Sequence, residues 1–148
     1  MPKPEAFKPR YLLLDTHVWI WLINGSPEID HKQYLNTVQQ YARKDAVRIS
    51  AISIWELAML VSKKRLSLSK DVSLWVKESL KVNGLAVEAL STDILLESAQ
   101  MDDSAHGDPA DRMILVTAKH IKAAIMTADG QMIEYCKHHG LPVEPIKK

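Results

Sequence analysis

The stretch that decides the fold is Tyr11-Leu12-Leu13-Leu14-Asp15. Four apolar residues in a row, without alternation, suit a short strand buried on both faces. Asp15 ends the run. Val18, Trp19, Trp21, Leu22 and Ile23 then recur at helical spacing, until Asn24-Gly25-Ser26-Pro27 stops the helix. A buried strand that turns through an acid into a helix is the building unit of a parallel sheet.

The same alternation continues outward. Asp30 to Ala42 reads as a helix, Val47 to Ala51 as a second strand, and Ile54 to Lys63 as the helix after it. Leu74 to Val82 reads as a helix stopped by Asn83-Gly84, followed by a strand over Leu85 to Leu90. Thr92 to Met101 and Pro109 to His120 follow as helices, and Ala123 to Met126 as a strand. Gln131 to His138 is a last helix and Leu141 to Pro145 an edge strand. Strands alternating with helices predict a three-layer α/β/α sandwich around a central, mostly parallel sheet. Residues 1–9, with three prolines, read as a flexible lead-in, and residues 10–148 as a single domain. A chain of 148 residues buries roughly two-thirds of the surface it exposes when unfolded.

Charge and composition exclude several classes. Hydrophobic residues make up 47% and charged residues 25%, the balance of a globular protein rather than a disordered one. With 19 Lys+Arg against 18 Asp+Glu, the chain is neither a polycation nor an acidic tail, although a local basic patch would suffice to hold nucleic acid. The sum conceals a segment from Val82 to Asp111 with seven acids and no Lys or Arg. One cysteine, Cys136, makes neither an internal disulfide nor a structural zinc site. No apolar run approaches the ~18 residues of a membrane span, and no signal-peptide core follows Met1. The expected location is the cytoplasm.

Four acids fall at comparable places. Asp15 follows the first strand, and Glu56 lies about one turn into the helix after the second. Asp111 sits in the first turn of the helix opened by Asp108-Pro109, and Asp129 follows the strand ending at Met126-Thr127. In parallel α/β sheets these places share the carboxyl edge of the strands, where ligands bind. Each acid alone is also explained by helix-start chemistry. Asp15 and Asp129 are good N-cap residues, Ser53-x-x-Glu56 fits a capping box, and Asp108-Pro109-Ala110-Asp111 supplies a cap, an N1 proline and an N3 acid. Capping, however, does not require every such helix to start at one edge with an acid. Clustered carboxylates repel one another unless a cation neutralises them. A hard divalent ion such as Mg²⁺ or Mn²⁺ takes oxygen ligands, and can then support phosphodiester hydrolysis without a Ser, Cys or His nucleophile. No Gly-rich phosphate loop, G-x-S-x-G elbow or H-E-x-x-H competes with that reading.

Leu14-Asp15-Thr16-His17, Ser50-x-x-Ser53-x-x-Glu56, Asp108-Pro109-Ala110-Asp111-Arg112 and Thr127-Ala128-Asp129 together resemble the PIN domain, and within it the VapC toxins of type II toxin–antitoxin systems. The resemblance runs from about Arg10 to Pro145. It implies a metal-dependent endoribonuclease for single-stranded or loop RNA, a homodimer, and inhibition by a cognate antitoxin. By position it makes Asp15, Glu56, Asp111 and Asp129 the acidic quartet. Asp15, Asp111 and Asp129 would hold the metal, while Glu56 would orient a water or complete the shell. Asp108 either joins the site or only caps its helix. Thr16, Ser53 and Thr127 offer hydroxyls to the carboxylates or to local capping. Ala110 stands where this subgroup often has an aromatic residue.

Lys63-Lys64-Arg65, the one basic cluster, is a candidate for tracking an RNA backbone, as is Arg112, which can equally pair with an acid. A solvated helix end explains the cluster as well. Trp19, Trp21, Trp55 and Trp75 read as core or dimer surface rather than base-stacking platforms, and the stripe Ile54, Leu57, Ala58 and Val61 reads as core first. A haloacid-dehalogenase-type phosphatase would want a second Asp where His17 stands, and a receiver domain would want an acidic pair and a late lysine. The non-enzymatic alternative is a PIN-like module that only binds RNA or protein, against which the presence of all four acids argues.

Overall fold

The computed structural model describes residues 8–102 and 107–147. Most of the lead-in expected at residues 1–9 lies outside them, and Lys8 and Pro9 belong to no regular element. Leu12, Leu13 and Leu14 are all fully buried in strand β1 (Tyr11–Leu14), as an unbroken apolar run requires. Burying each such side chain contributes about 1.5–3 kcal/mol. Four further strands join it: β2 (Val47–Ser50), β3 (Leu85–Glu88), β4 (Ala123–Thr127) and β5 (Val143–Pro145). All pairings are parallel, and the spatial order is β3-β2-β1-β4-β5.

Alternation along the strands builds the two outer layers. Leu12, Leu14, Val47, Ile49 and Met126 meet Val18 and Trp19 of α1 (Thr16–Asn24) on one face. Val38 of α2 (Lys32–Ala42), Leu57 of α3 (Ala51–Ser62) and Trp75 of α4 (Val72–Ser79) complete that layer. Leu13, Ala123 and Ile125 point the other way, against Ile114, Leu115 and Ala118 of α6 (Pro109–Ile121). Met132 and Cys136 of α7 (Gly130–His139) close this second face. Burial pushes the Cys136 thiol up to about 11, so it serves as a small hydrophobe. Helix α5 (Thr92–Ala99) lies beside α6, with Glu97 reaching Lys119 and His120. The α/β/α sandwich is therefore as expected, and its sheet is parallel throughout.

Several boundaries differ, each for a local reason. Helix α3 starts at Ala51 rather than Ile54, because the Ser50 hydroxyl accepts from Ile52 N (3.1 Å) and caps it directly at the strand end. Ser53 is thus inside the first turn, and the capping box Ser53-x-x-Glu56 does not exist. Helix α4 runs Val72–Ser79 rather than Leu74 to Val82, since Asp71 caps it through Ser73 N (3.1 Å). A 3-10 turn at Pro27–Ile29 delays α2 to Lys32. Of the stripe on α3 only Leu57 is fully buried, and Ala58 is exposed. Trp19 and Trp75 are core residues in edge contact at 5.2 Å, whereas Trp55 is 58% exposed.

Gly84 does not stop α4 but lets two elements meet. At φ +87°, a Cβ there would lie 2.5 Å from the Ala42 carbonyl oxygen and 2.7 Å from Ala42 Cα. Both are backbone atoms and cannot swing aside. Gly84→Ala should therefore cost about 2 kcal/mol from clash and left-handed strain together. A thermal melt should show the midpoint falling by several degrees; an unchanged midpoint would refute this packing.

Candidate functional site

The strand order sets the location. From β1 the chain builds outward through β2 and β3, then returns to add β4 and β5 on the other side. The carboxyl ends of β1 and β4 thus flank the point where the order reverses, the ligand crevice of open α/β sheets. Leu14 is in register with Met126, so the next residues, Asp15 and Thr127, stand beside each other.

Asp15 is only 5% exposed. Its Oδ1 accepts from Thr16 N at 2.8 Å and its Oδ2 from the Thr127 hydroxyl at 2.7 Å. The Thr127 oxygen in turn accepts from Asp129 N at 3.0 Å. One hydroxyl therefore fixes both strand-end acids. A second link crosses from α1 to α3: the Thr16 hydroxyl donates to Glu56 Oε1 at 2.5 Å and lies 2.8 Å from the Ser53 hydroxyl. With Thr16 donating to Glu56, Ser53 must be the donor to Thr16, because a hydroxyl has one proton. Thr16 and Thr127 thus bond carboxylates directly, and Ser53 reaches Glu56 only through Thr16. Spacing alone did not reveal which hydroxyl serves which carboxylate.

Asp15, Asp108 and Asp129 also cap α1, α6 and α7. Asp108 accepts from Asp111 N at 3.1 Å, and Asp129 Oδ1 accepts from Gln131 N at 2.9 Å and Met132 N at 3.3 Å. Capping and clustering are both real, and the helix N-termini partly offset the negative charge. Glu56, several residues into α3, and Asp111, in the first turn of α6, are not cap residues.

The electrostatics report the convergence. Burial raises the carboxyl of Asp15, against the opposing hydrogen bonds from Thr127 and Thr16 N, and Asp129 repels it further. Burial likewise raises Glu56, with Asp15 and Asp108 adding repulsion and Thr16 and His17 countering it. Asp111 is pushed up to about 8, first by burial and then by repulsion from Asp15, Asp108, Asp129 and Glu56. Five carboxylates from three inter-element junctions and one helix face thus share one field.

This donor set is all oxygen and unstable as a cluster of bare anions, the chemistry that suits a hard divalent ion. Among the described residues no group of three or more His, Cys, Asp or Glu side chains is placed to hold a metal ion directly. An ion at this cluster would therefore be met by fewer direct carboxylates and by its own waters, the coordination that Mg²⁺ favours.

The Lys63-Lys64-Arg65 cluster does not join the acids. Lys63, Lys64 and Arg65 are exposed past the far end of α3, a helix of 12 residues spanning about 18 Å. Arg112 follows Asp111 and lines a separate cleft of 310 Å³ with Leu95, Pro109 and Met113. No helix among the described residues is long and apolar enough to cross a membrane.

Comparison with known proteins agrees with this geometry. The sequence pattern of the PIN domain matches residues 12–138. The chain is 30% identical over 135 residues to Ribonuclease VapC22 of Mycobacterium tuberculosis, covering 89% of this chain and 95% of that protein. Among solved structures, VapBC2 of Rickettsia felis bound to a promoter DNA fragment superposes with a TM-score of 0.67 at 20% identity, covering 91% of this chain and 98% of its own. A toxin–antitoxin complex from Klebsiella pneumoniae gives 0.61 at 18% identity, covering 93% and 99%. These likenesses to solved structures concern the fold. With the family pattern spanning most of the sequence, this chain belongs to the PIN domain family and is VapC-like.

Proposed function

We propose that this chain is a Mg²⁺- or Mn²⁺-dependent endoribonuclease that cleaves single-stranded or loop RNA, and that it is the toxin of a toxin–antitoxin pair. The observation that supports this reading best is Asp111, pushed up to about 8 by burial and then by repulsion from four neighbouring carboxylates. Such a cluster is costly to a fold and useful to a phosphodiester hydrolase. In this reading Asp15 and Asp129 would hold the ion, and Asp111 would reach it directly or through water. When bound, it supplies positive charge for the phosphodiester and lowers the pKa of water. Glu56, with Oε1 committed to Thr16, offers its remaining carboxylate oxygen to orient the attacking water and take its proton. Thr127 and the Ser53–Thr16 pair hold these carboxylates in place. Asp108 caps α6 and adds to the negative field without being required as a ligand.

Ribonuclease VapC22 supports the RNA substrate, and the toxin–antitoxin and VapBC neighbours support an antitoxin partner. Trp55, Leu95 and Leu96, left in water at 58%, 42% and 54%, support a homodimer. A lone buried cysteine is consistent with the cytoplasm. Arg112 and Lys63-Lys64-Arg65 are proposed to meet RNA phosphates.

The test is direct. Purified protein, freed of any co-purifying partner, should cleave single-stranded RNA with Mg²⁺ or Mn²⁺ and stop when a chelator is added. Cleavage that persists in chelator would remove the metal from the mechanism. A folded protein that binds RNA and never cleaves it would leave the binding-module reading.

A further inference from the structure

In a parallel sheet the segments that enter the strands all lie at the edge opposite the acids. On this chain each of those segments carries a cation. Lys8 and Arg10 precede β1, and Arg43 and Lys44 precede β2. Lys81 precedes β3, Lys122 precedes β4, and Lys137 is in the last turn of α7 before β5. All seven are exposed, and none forms an ion pair among the described residues. Among the described residues of these segments Asp45 is the one carboxylate.

A cation at a helix C-terminus offsets the helix dipole, but Lys8 and Arg10 end no helix. Backbone bonding joins the segments at this edge: Arg10 N donates to Lys122 O at 2.8 Å, and Val47 N to Gly84 O at 2.9 Å. Beside Lys137, Tyr135 and His139 stack at 3.9 Å on the surface of α7, an arrangement that also accepts a nucleobase. Among the described residues of these segments Val82 is the one large apolar side chain exposed, too little to anchor in a bilayer.

We propose that this basic edge is a second RNA-binding surface, holding the backbone of the substrate strand away from the cleavage centre. It rests on the endoribonuclease reading but is tested separately from it. The acidic edge repels phosphates until a cation neutralises it, whereas the basic edge attracts them without one. The near-neutral total of +1 thus contains two edges of opposite sign.

The triple variant Lys44→Glu, Lys81→Glu, Lys137→Glu touches no residue of the acidic site. In chelator, where no cleavage occurs, its affinity for a single-stranded RNA of about 16 nucleotides should fall at least tenfold. The slope of log affinity against log salt should shrink by about 2, at about 0.7 for each of three phosphate contacts. Melting should confirm the fold, and the corresponding triple Gln variant should show a smaller loss of the same kind. With metal, cleavage of the long RNA should weaken while that of an oligonucleotide of about four nucleotides is unchanged. Unchanged affinity and salt slope in the Glu variant would overturn the proposal, as would equal cleavage losses on short and long RNA. Binding to anionic vesicles that the variant abolishes, with RNA binding intact, would assign the edge to a membrane instead. Because binding is read in chelator, a protein that never cleaves RNA still tests the surface.

Discussion

Asp15→Asn should lose RNA cleavage by about a thousandfold, the rate equivalent of roughly 4 kcal/mol, while its fold becomes more stable. Asp15 is the most buried of the acids and the hub of the site, bonded to Thr16 N and the Thr127 hydroxyl. Asn keeps an oxygen for Thr16 N and an amide that can donate to the Thr127 oxygen, so the N-cap of α1 persists. What it removes is one charge from a field that already raises Glu56 and Asp111. In chelator the variant should melt higher than the parent. In metal it should bind the ion more weakly, which calorimetry with Mn²⁺ measures. Full activity in Asp15→Asn would end the assignment of Asp15 as a ligand. Lost activity with a lowered melting point would show a structural role instead.

Legibility in the sequence followed locality. The run Tyr11 to Leu14 and its closing Asp15 marked a strand, a cap and a candidate site residue at once, because all three depend on consecutive residues. Asp108, Asp111 and Asp129 were legible for the same reason: each sits at a junction whose geometry is local. The errors at α3 and α4 also have local causes. The run Val47 to Ala51 reads as strand and Ile54 as the helix start, yet the Ser50 hydroxyl on Ile52 N turns the chain into a helix from Ala51. Misplacing that cap is what made Glu56 look like half of a capping box. The pairing of the hydroxyls was not legible. That Thr127 serves Asp15 follows from the register Leu14 with Met126, and that Thr16 serves Glu56 follows from how α1 packs on α3. Both are tertiary facts, between residues 112 and 40 positions apart in sequence. The basic edge was hidden likewise, since its cations are scattered singly and meet only once the strands are parallel.

Asp111 makes the metal-free protein a pH-dependent fold. Its carboxyl rises from an ordinary 3.8 to about 8 in the folded state. A group raised on folding binds its proton more tightly when folded, so the associated stability is fully present below the unfolded value. It is lost as pH climbs through the window from about 4 to about 8. A shift of about four units would nominally be worth roughly 5–6 kcal/mol. Asp111 keeps part of its surface in water, which screens the repulsion, so about half of that is the reasonable expectation. Asp15 and Glu56 are raised in the same direction and deepen the effect. In chelator, therefore, the melting temperature should fall between pH 5 and pH 8, by about 2–4 °C for each kcal/mol lost. Mg²⁺ or Mn²⁺ should restore it, more at pH 8 than at pH 5, because the ion binds the ionised cluster and protons compete with it. Asp111→Asn should flatten the slope and melt above the parent at pH 8. A parent protein whose melting point in chelator is level from pH 5 to pH 8 would show that these carboxylates do not share one field, and the metal assignment would lose its electrostatic basis.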